Sequence, residues 1–146
     1  MTATFRFLED IALADAAFEA SGGTPSELFL AAAHAVIETM VAPKTVAPTL
    51  TKSISRHDQS LEELLFDWLA DIVYLKDAEW LVFRDVTCTV EQGQAGRGWQ
   101  LNGTLTGEPI DPSRHELRAD IKAITKHRYA VRQEPGAWIA TVVMDI

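Results

Sequence analysis

Acidic groups from the two ends of the chain could together hold a metal ion. Asp145 and the carboxylate of Ile146 offer oxygen ligands one residue apart, and alternation that continues to residue 146 predicts a tail held in a strand. Asp15 is the candidate third ligand, because alternation places it on the strand face opposite Ala16 and Phe18. Ligands that are all oxygens favour a hard divalent cation such as Ca²⁺ or Mg²⁺. From these residues alone, the alternative of solvated surface carboxylates stays open.

A polar segment, residues 108–127, carries the second group of candidates. Pro109 and Pro112 hold it in one shape, because proline fixes its own dihedral and restricts its predecessor. His115 beside Glu116 suggests an acid–base pair for hydrolysis. Adjacent residues on an extended chain point to opposite faces, however, so a structural His115 that bonds the backbone of the turn is the favoured interpretation.

The strand predicted over residues 120–133 continues this segment and carries a cation. Alternation places Lys122 on the outer face of this strand, which corresponds to the face of the acids on their own strands. The same alternation predicts that the His127 side chain is half-buried. The residues predicted on the opposite face are Ile121, Ala123, Thr125 and His127.

Length and composition restrict the compartment. The 146 residues fit one domain, residues 1–146, and 47% hydrophobic with 23% charged residues is typical of a folded protein. No apolar run approaches the roughly 20 residues that span a bilayer, and the first residues lack a signal-peptide layout. Cys88 is the one cysteine and cannot form an internal disulfide. These features together predict a cytoplasmic protein without a membrane partner.

The charge balance restricts the partners. The chain has 13 Lys and Arg against 21 Asp and Glu, a net charge of −8. Strong direct binding to nucleic acid is not expected, because such binding normally uses a basic face that displaces counterions. A basic protein partner or a cation is easier to accommodate. No pattern in the chain fixes an oligomeric state.

The elements that must position these residues follow from periodicity. Thr24-Pro25-Ser26-Glu27 and Ser60-Leu61-Glu62-Glu63 are capping boxes, each followed by an apolar stripe at helical spacing. Strands are predicted over residues 3–8, 15–20, 44–56, 80–92, 98–107, 120–133 and 137–146. We therefore expect an α+β fold, a two-layer sandwich of a mostly antiparallel sheet with two amphipathic helices on one face.

Motifs associated with catalysis are absent from the sequence. It has no glycine-rich phosphate loop, zinc-ligand spacing or nucleophile elbow. Cys88 alternates with Val86 and Val90 and is predicted to pack in the core. Catalysis by this chain alone is not expected.

Five blocks of sequence resemble the archease family, and they extend over nearly the full length. The most specific lie within residues 107–127: Gly-Glu-Pro-x-Asp-Pro-x-x-His-Glu-Leu, followed by Lys-Ala-Ile-Thr-x-His. Their order and spacing are hard to meet by chance. The other blocks are residues 10–15, 23–29, 60–65 and 145–146.

The resemblance implies a function and a site. It implies a cofactor protein for RtcB-type tRNA ligases, which speeds guanylylation of the ligase histidine and so permits repeated turnover. It implies a divalent-cation site, with Ca²⁺ expected first and Mg²⁺ or Mn²⁺ as alternatives, built from Asp15, Asp145 and Ile146. Lys122 matches the family's basic residue, and with His115 and Glu116 it is assigned to partner contact or activation.

One departure from the family and two other functions stay open. Many archeases have His-Thr-Ala-Asp where this chain has Ala12-Leu13-Ala14-Asp15, so the acid is kept and the imidazole is not. The first alternative function is a chaperone-like modulator of other RNA-modifying enzymes, without cation chemistry. The second is a small hydrolase that uses His115 and Glu116.

Overall fold

Seven strands and two long helices are present in residues 2–9 and 15–146, the part of the chain that the computed structural model describes. Residues 10–14, which include Ala12 of the first motif, lie outside the described residues. The helices are α1, Pro25–Met40, and α2, Leu61–Glu79, with short 3₁₀ turns at Pro43–Thr45 and Gln94–Gly96. The strands are β1 Thr4–Leu8, β2 Asp15–Gly22, β3 Leu50–Asp58, β4 Leu81–Gln92, β5 Trp99–Pro109, β6 Ala123–Glu134 and β7 Ala137–Asp145.

Both long helices begin at the predicted caps. The N–H of Glu27 donates to Thr24 Oγ1 at 3.1 Å, and the N–H of Glu63 donates to Ser60 Oγ at the same distance. Each bond satisfies one of the amide groups that a helix N-terminus leaves without an intrahelical partner. The capping signals in the sequence therefore locate both helix starts correctly.

The strands form two antiparallel sheets. The four-stranded sheet has the order β1-β2-β7-β6, and the three-stranded sheet has the order β3-β5-β4. The α+β class is confirmed, but the sheet predicted as one is divided. The chain crosses from the three-stranded sheet to the four-stranded sheet at residues 110–122, an irregular connection between β5 and β6.

Two strand boundaries differ from the prediction. The third strand starts at Leu50 instead of residue 44, because Pro43 opens a 3₁₀ turn and Pro48 has no N–H to give to a ladder. The sixth strand starts at Ala123 instead of residue 120. It also contains a bulge between Thr125 and Ala130.

The core lies between the helices and the two sheets. Helix α1 packs on β2 and β4, and α2 packs on α1, β6 and β3, so each helix contacts both sheets. Trp68 of α2 is fully buried, and its Nε1–H donates to Phe29 O at 3.1 Å. A Cβ at Gly103 of β5 would lie 2.8 Å from the Trp68 ring, so glycine at this position lets the indole meet the sheet.

Candidate functional site

Asp15 and Asp145 occupy directly opposed positions on neighbouring strands. Asp15 opens β2, Asp145 closes β7, and the antiparallel register pairs their Cα atoms. Opposed residues share a sheet face, with Cβ atoms about 4.5–5.5 Å apart. Both side chains are half-buried. The structure therefore brings together two carboxylates that are 130 positions apart in sequence (145 − 15).

The surroundings of the two acids are suited to a cation. Within residues 2–9 and 15–146, no hydrogen bond or ion pair of either carboxylate is found. Like charges that face each other across two strands destabilise a sheet, and a bound cation or proton removes that repulsion. Ala17 and Val143, the next residues inward on this face, are buried, so solvent screens these charges less.

The third ligand determines whether this pair forms a complete cation site. Among the described residues, no group of three His, Cys, Asp or Glu side chains is arranged to hold a metal ion. Asp15 and Asp145 therefore supply two side-chain ligands for a cation. The candidate third ligand is the carboxyl group of Ile146, the residue after Asp145. Such an all-oxygen set fits a hard divalent cation.

Lys122 lies beside Asp145, but not on the predicted strand face. The residue opposite Asp145 on β6 is Ala123, so Ala123 and Thr125 share the face of the acids. The face prediction for Lys122 is therefore wrong, because Lys122 precedes the regular strand. Its backbone N–H donates to Asp145 O at 2.7 Å, which keeps the exposed lysine next to the acid pair.

His115 is a buried residue that directly follows the turn at residues 112–114. Its side chain is 0% exposed, its Nδ1 accepts from the N–H of Asp111 at 2.9 Å, and its Nε2 lies 2.9 Å from Glu108 Oε2. The predicted backbone bond is present. Since the ring is enclosed, His115 can act on a partner only by shaping the turn.

Glu116 is separated from this network. Its side chain is exposed, and its carboxylate forms an ion pair with Arg118 at 3.2 Å. The carboxylate that the His115 ring contacts belongs to Glu108. The arrangement that a His115–Glu116 hydrolase would need is therefore not present, and the geometry does not favour that alternative.

Glu108, near the end of β5 and bonded to this turn, is the residue that the sequence analysis missed. It is buried, and its carboxylate accepts from Arg114, from His115 and from the N–H of Ala47. These hydrogen bonds, with Arg114 the largest contributor, lower the pKa of Glu108 to about 2 despite its burial. A glutamate between Gly107 and Pro109 was a usable signal, because a rigid turn can enclose a polar side chain.

Acid should weaken the fold through Glu108. Its pKa in the folded protein, about 2, lies below the ordinary 4.5, so its stabilising effect is complete above pH 4.5 and lost as pH falls toward 2. Burial, followed by a hydrogen bond with Asp67, raises the pKa of Asp58 to about 6, so that group titrates above this window. The melting temperature of the wild type should therefore fall more steeply between pH 4.5 and pH 2 than that of Glu108→Gln, measured by circular dichroism. Parallel pH profiles would contradict this role for the ionised Glu108.

The two other side chains considered in the sequence analysis, those of Cys88 and His127, are not arranged for catalysis. Cys88 packs against the core, and burial raises the pKa of its thiol to about 12, so a thiolate nucleophile is absent at neutral pH. His127 is exposed, and the prediction of a half-buried ring is wrong because the bulge in β6 breaks the alternation. Within the described part of the chain, neither long helix combines the length and apolar character that crossing a bilayer requires.

Comparison with known proteins finds one family whose members match nearly the whole chain. The model of the Archease protein family (MTH1598/TM1083) matches residues 5–146. Protein archease of Methanopyrus kandleri is 35% identical over 133 residues, 91% of this chain and 94% of that protein. Protein archease of Thermococcus kodakarensis is 34% identical over 134 residues, 91% of this chain and 93% of that protein.

Solved structures agree with this result. The solution structure of Methanobacterium thermoautotrophicum protein 1598 has a TM-score of 0.80 at 30% identity, with 97% of this chain and 98% of that chain covered. A Thermotoga maritima protein, described as an archease and possible chaperone, has a TM-score of 0.62 at 19% identity and supports the fold alone. The family match over nearly all residues and the identities above 30% establish that the chain belongs to the archease family.

Proposed function

We propose that this protein is an accessory factor that activates an RtcB-type RNA ligase in tRNA splicing or RNA repair. Membership of the archease family supports an accessory role. The observation that carries the proposal is the opposed pairing of Asp15 and Asp145, with Lys122 bonded to Asp145 through its backbone. In this proposal the site promotes guanylylation of the ligase and so permits multiple turnover.

In this proposal the residues of the site have separate roles. Asp15, Asp145 and the carboxyl group of Ile146 hold a divalent cation, with Ca²⁺ expected first. A bound divalent cation supplies neutralisation of phosphate charge, which guanylyl transfer to a histidine requires. Lys122 contacts a phosphate or an acidic group of the ligase, since an exposed ammonium group beside two carboxylates can add a second charge contact.

Multiple-turnover ligation is the direct test of the function. The ligase of the same organism, with GTP and an excess of cleaved RNA over ligase, should form many products per ligase when this protein is added and about one without it. Ligation that is unchanged by the protein would reject the proposal. Stimulation that persists in both Asp15→Asn and Asp145→Asn would instead support the chaperone-like alternative without cation chemistry.

Calcium binding can be tested without the ligase. A ligand that binds only the folded state stabilises it by about 2.7 kcal/mol when present at 100 times its Kd. Calcium should therefore raise the melting temperature of the wild type, and a chelator should reverse the effect. Asp145→Asn and Asp15→Asn should lose this response, because each removes a charged ligand with little change of shape.

A matched control is available on the other sheet. Asp85 of β4 is an exposed acid whose ion pair, within residues 2–9 and 15–146, is to Arg84 at 3.8 Å, so Asp85→Asn should keep the calcium response. Protein that ends at Ile146 should also respond more strongly than protein extended beyond Ile146 by a tag. Equal calcium shifts in all variants would exclude the Asp15–Asp145 site.

A further inference from the structure

Trp80 is a large apolar side chain that is exposed and held in an unusual backbone conformation. It is 66% exposed, and it ends α2 with φ +56°, in the left-handed region that favours glycine. A strained residue that is not glycine often indicates a functional constraint. Tryptophan is also among the residues that most often dominate binding at interfaces. Helix capping alone does not require this side chain.

An apolar pocket lies beside the backbone of Trp80, although the indole is not among the groups that line it. Ile110, whose N–H donates to Trp80 O at 2.7 Å, lines this pocket together with the 42%-exposed Leu117. The pocket volume is about 120 Å³. Engineered apolar cavities of roughly 150 Å³ accept a benzene molecule, so this pocket has room for the end of one aliphatic side chain. The remaining lining residues are Met40, Lys76, Val82, Arg118, Ala119 and Asp120.

The segment that carries Leu117 is fixed to the end of α1. Leu117 forms an isolated β-bridge with Val41, and the N–H of Arg118 donates to Met40 O at 2.8 Å. The N–H of Ala42 donates to Glu116 O at 2.9 Å. A surface held by these backbone bonds is already formed before a partner arrives, which lowers the entropic cost of binding.

Exposed acids outnumber exposed cations at the rim of the pocket. Arg118, which lines the pocket, is already paired with the exposed Glu116 at 3.2 Å. Lys76 is buried, and its Nζ contacts Asp77 at 2.6 Å and also Asp120. The Asp77 and Asp120 side chains are 56% and 74% exposed. Burial lowers the pKa of Lys76, but the hydrogen bonds to the two acids outweigh it and raise that pKa above its ordinary value. The cation therefore lies beneath the surface and the anions face solvent. A partner would meet an apolar pocket with an acidic rim.

The pocket and the acid pair are connected through three consecutive residues. Lys76 Nζ donates to Asp120 and, at 2.8 Å, to Ile121 O. The next residue, Lys122, donates its N–H to Asp145 O. A protein docked on the pocket would therefore lie beside the proposed cation site.

From these contacts we propose that the pocket lined by Ile110 and Leu117, together with the adjacent exposed Trp80, is the docking surface for the ligase, an inference that rests on the proposed function. The bound segment of the ligase inserts one aliphatic side chain into the pocket and places a Lys or Arg against Asp77 and Asp120. The acidic rim selects a basic flank, because opposite charges across an interface speed association and like charges exclude wrong partners.

Binding of the purified ligase of the same organism, measured by interferometry, tests the surface. Trp80→Ala and Leu117→Asp should each raise the Kd about tenfold or more, as expected for an interface anchor. Asp120→Lys should slow association and reduce its dependence on salt. The matched control is Tyr74→Ala, because Tyr74 is equally exposed, at 64%, but lines a different pocket, and its Kd should be unchanged.

Trp80→Gly separates binding from folding. Glycine adopts a positive φ without strain, so this variant should melt at a higher temperature than Trp80→Ala. Both variants should nevertheless bind the ligase equally weakly. If the loss of ligase binding in the two variants instead parallels the decrease in their melting temperature, the docking role is rejected and Trp80 is a structural residue.

The remaining outcomes also decide between explanations. If Trp80→Ala and Leu117→Asp bind the ligase as tightly as the wild type does, the proposed docking surface is wrong and the proposed function is unaffected. A wild type that neither binds nor activates the ligase overturns both. A concentration-dependent dimer in sedimentation that Trp80→Ala converts to monomer would assign the surface to a second copy of this chain, which also overturns the proposal.

Discussion

Trp68→Ala is expected to destabilise the fold by about 3–5 kcal/mol, the cost typical of truncating a buried tryptophan. Trp68 is fully buried where α2 meets α1 and β5, and it contacts both neighbours through the Phe29 carbonyl and the Gly103 backbone. The substitution leaves a cavity and also removes the hydrogen bond that Trp68 Nε1–H donates to Phe29 O. The free energy of unfolding from urea titration at 25 °C measures the effect.

Two control substitutions resolve the contributions of Trp68. Trp68→Phe keeps most of the ring volume and loses the donor, so we expect a smaller loss, about 1–3 kcal/mol. Trp80→Ala truncates an exposed tryptophan and should stay within about 1 kcal/mol of the wild type. A loss below about 1 kcal/mol in Trp68→Ala would show that the core relaxes around the cavity, and the packing role inferred from Gly103 would be wrong.

The helices could be predicted from sequence because their signals are local. The capping residues Thr24 and Ser60 bond amides three positions away, and the stripe that includes Trp68 repeats at helical spacing within α2. Such patterns need no knowledge of distant residues. The strands over residues 80–107 and 120–146 were also predicted from local patterns, since short glycine-containing turns separate β4 from β5 and β6 from β7.

The division of the sheet could not be predicted, because it depends on bonds between distant residues. Residues 110–122 leave one sheet because their amides bond to the end of α1, as Arg118 does to Met40 and Ala119 does to Thr39. Nothing in the local pattern of this segment indicates that partner. The wrong strand face of Lys122 has the same cause, because alternation was extended into residues that are not part of the strand.

The candidate site was predictable in part. The pairing of Asp15 with Asp145 requires β2 and β7 to be neighbours, and the family resemblance supplied that information. Alternation alone gave only the face on which each acid lies. The burial of Glu108 and Lys76 was missed because only some of their partners, such as Arg114 and Asp77, are close in sequence. Ala47, which donates to Glu108, is 61 positions away, and Asp120, which pairs with Lys76, is 44 positions away. Burial of a charge becomes visible only when the groups that compensate it are known.

Gly107→Ala is expected to destabilise the fold by about 3 kcal/mol or more, at or above the usual upper limit for overpacking. Gly107 of β5 pairs with Leu50 of β3 and Phe83 of β4, so all three strands of the smaller sheet meet at this residue. A Cβ at this position would overlap the Val82 carbonyl oxygen and lie 2.8 Å from Phe83 Cα. Both obstacles are backbone atoms, which cannot move aside as a flexible side chain does.

Gly96→Ala is the matched control for this substitution. Gly96 has φ +70° and no atom within 4 Å of an added Cβ, so alanine there meets dihedral strain of about 1–2 kcal/mol without overlap. Hydrogen exchange distinguishes the two causes. The amide of Thr49, which donates to Gly107 O at 3.0 Å, should exchange faster in Gly107→Ala and at the wild-type rate in Gly96→Ala, after correction for global stability. Equal losses of unfolding free energy in the two variants would show that β4 shifts to admit the methyl group, and the close contact at Gly107 would not be a fixed feature of the fold.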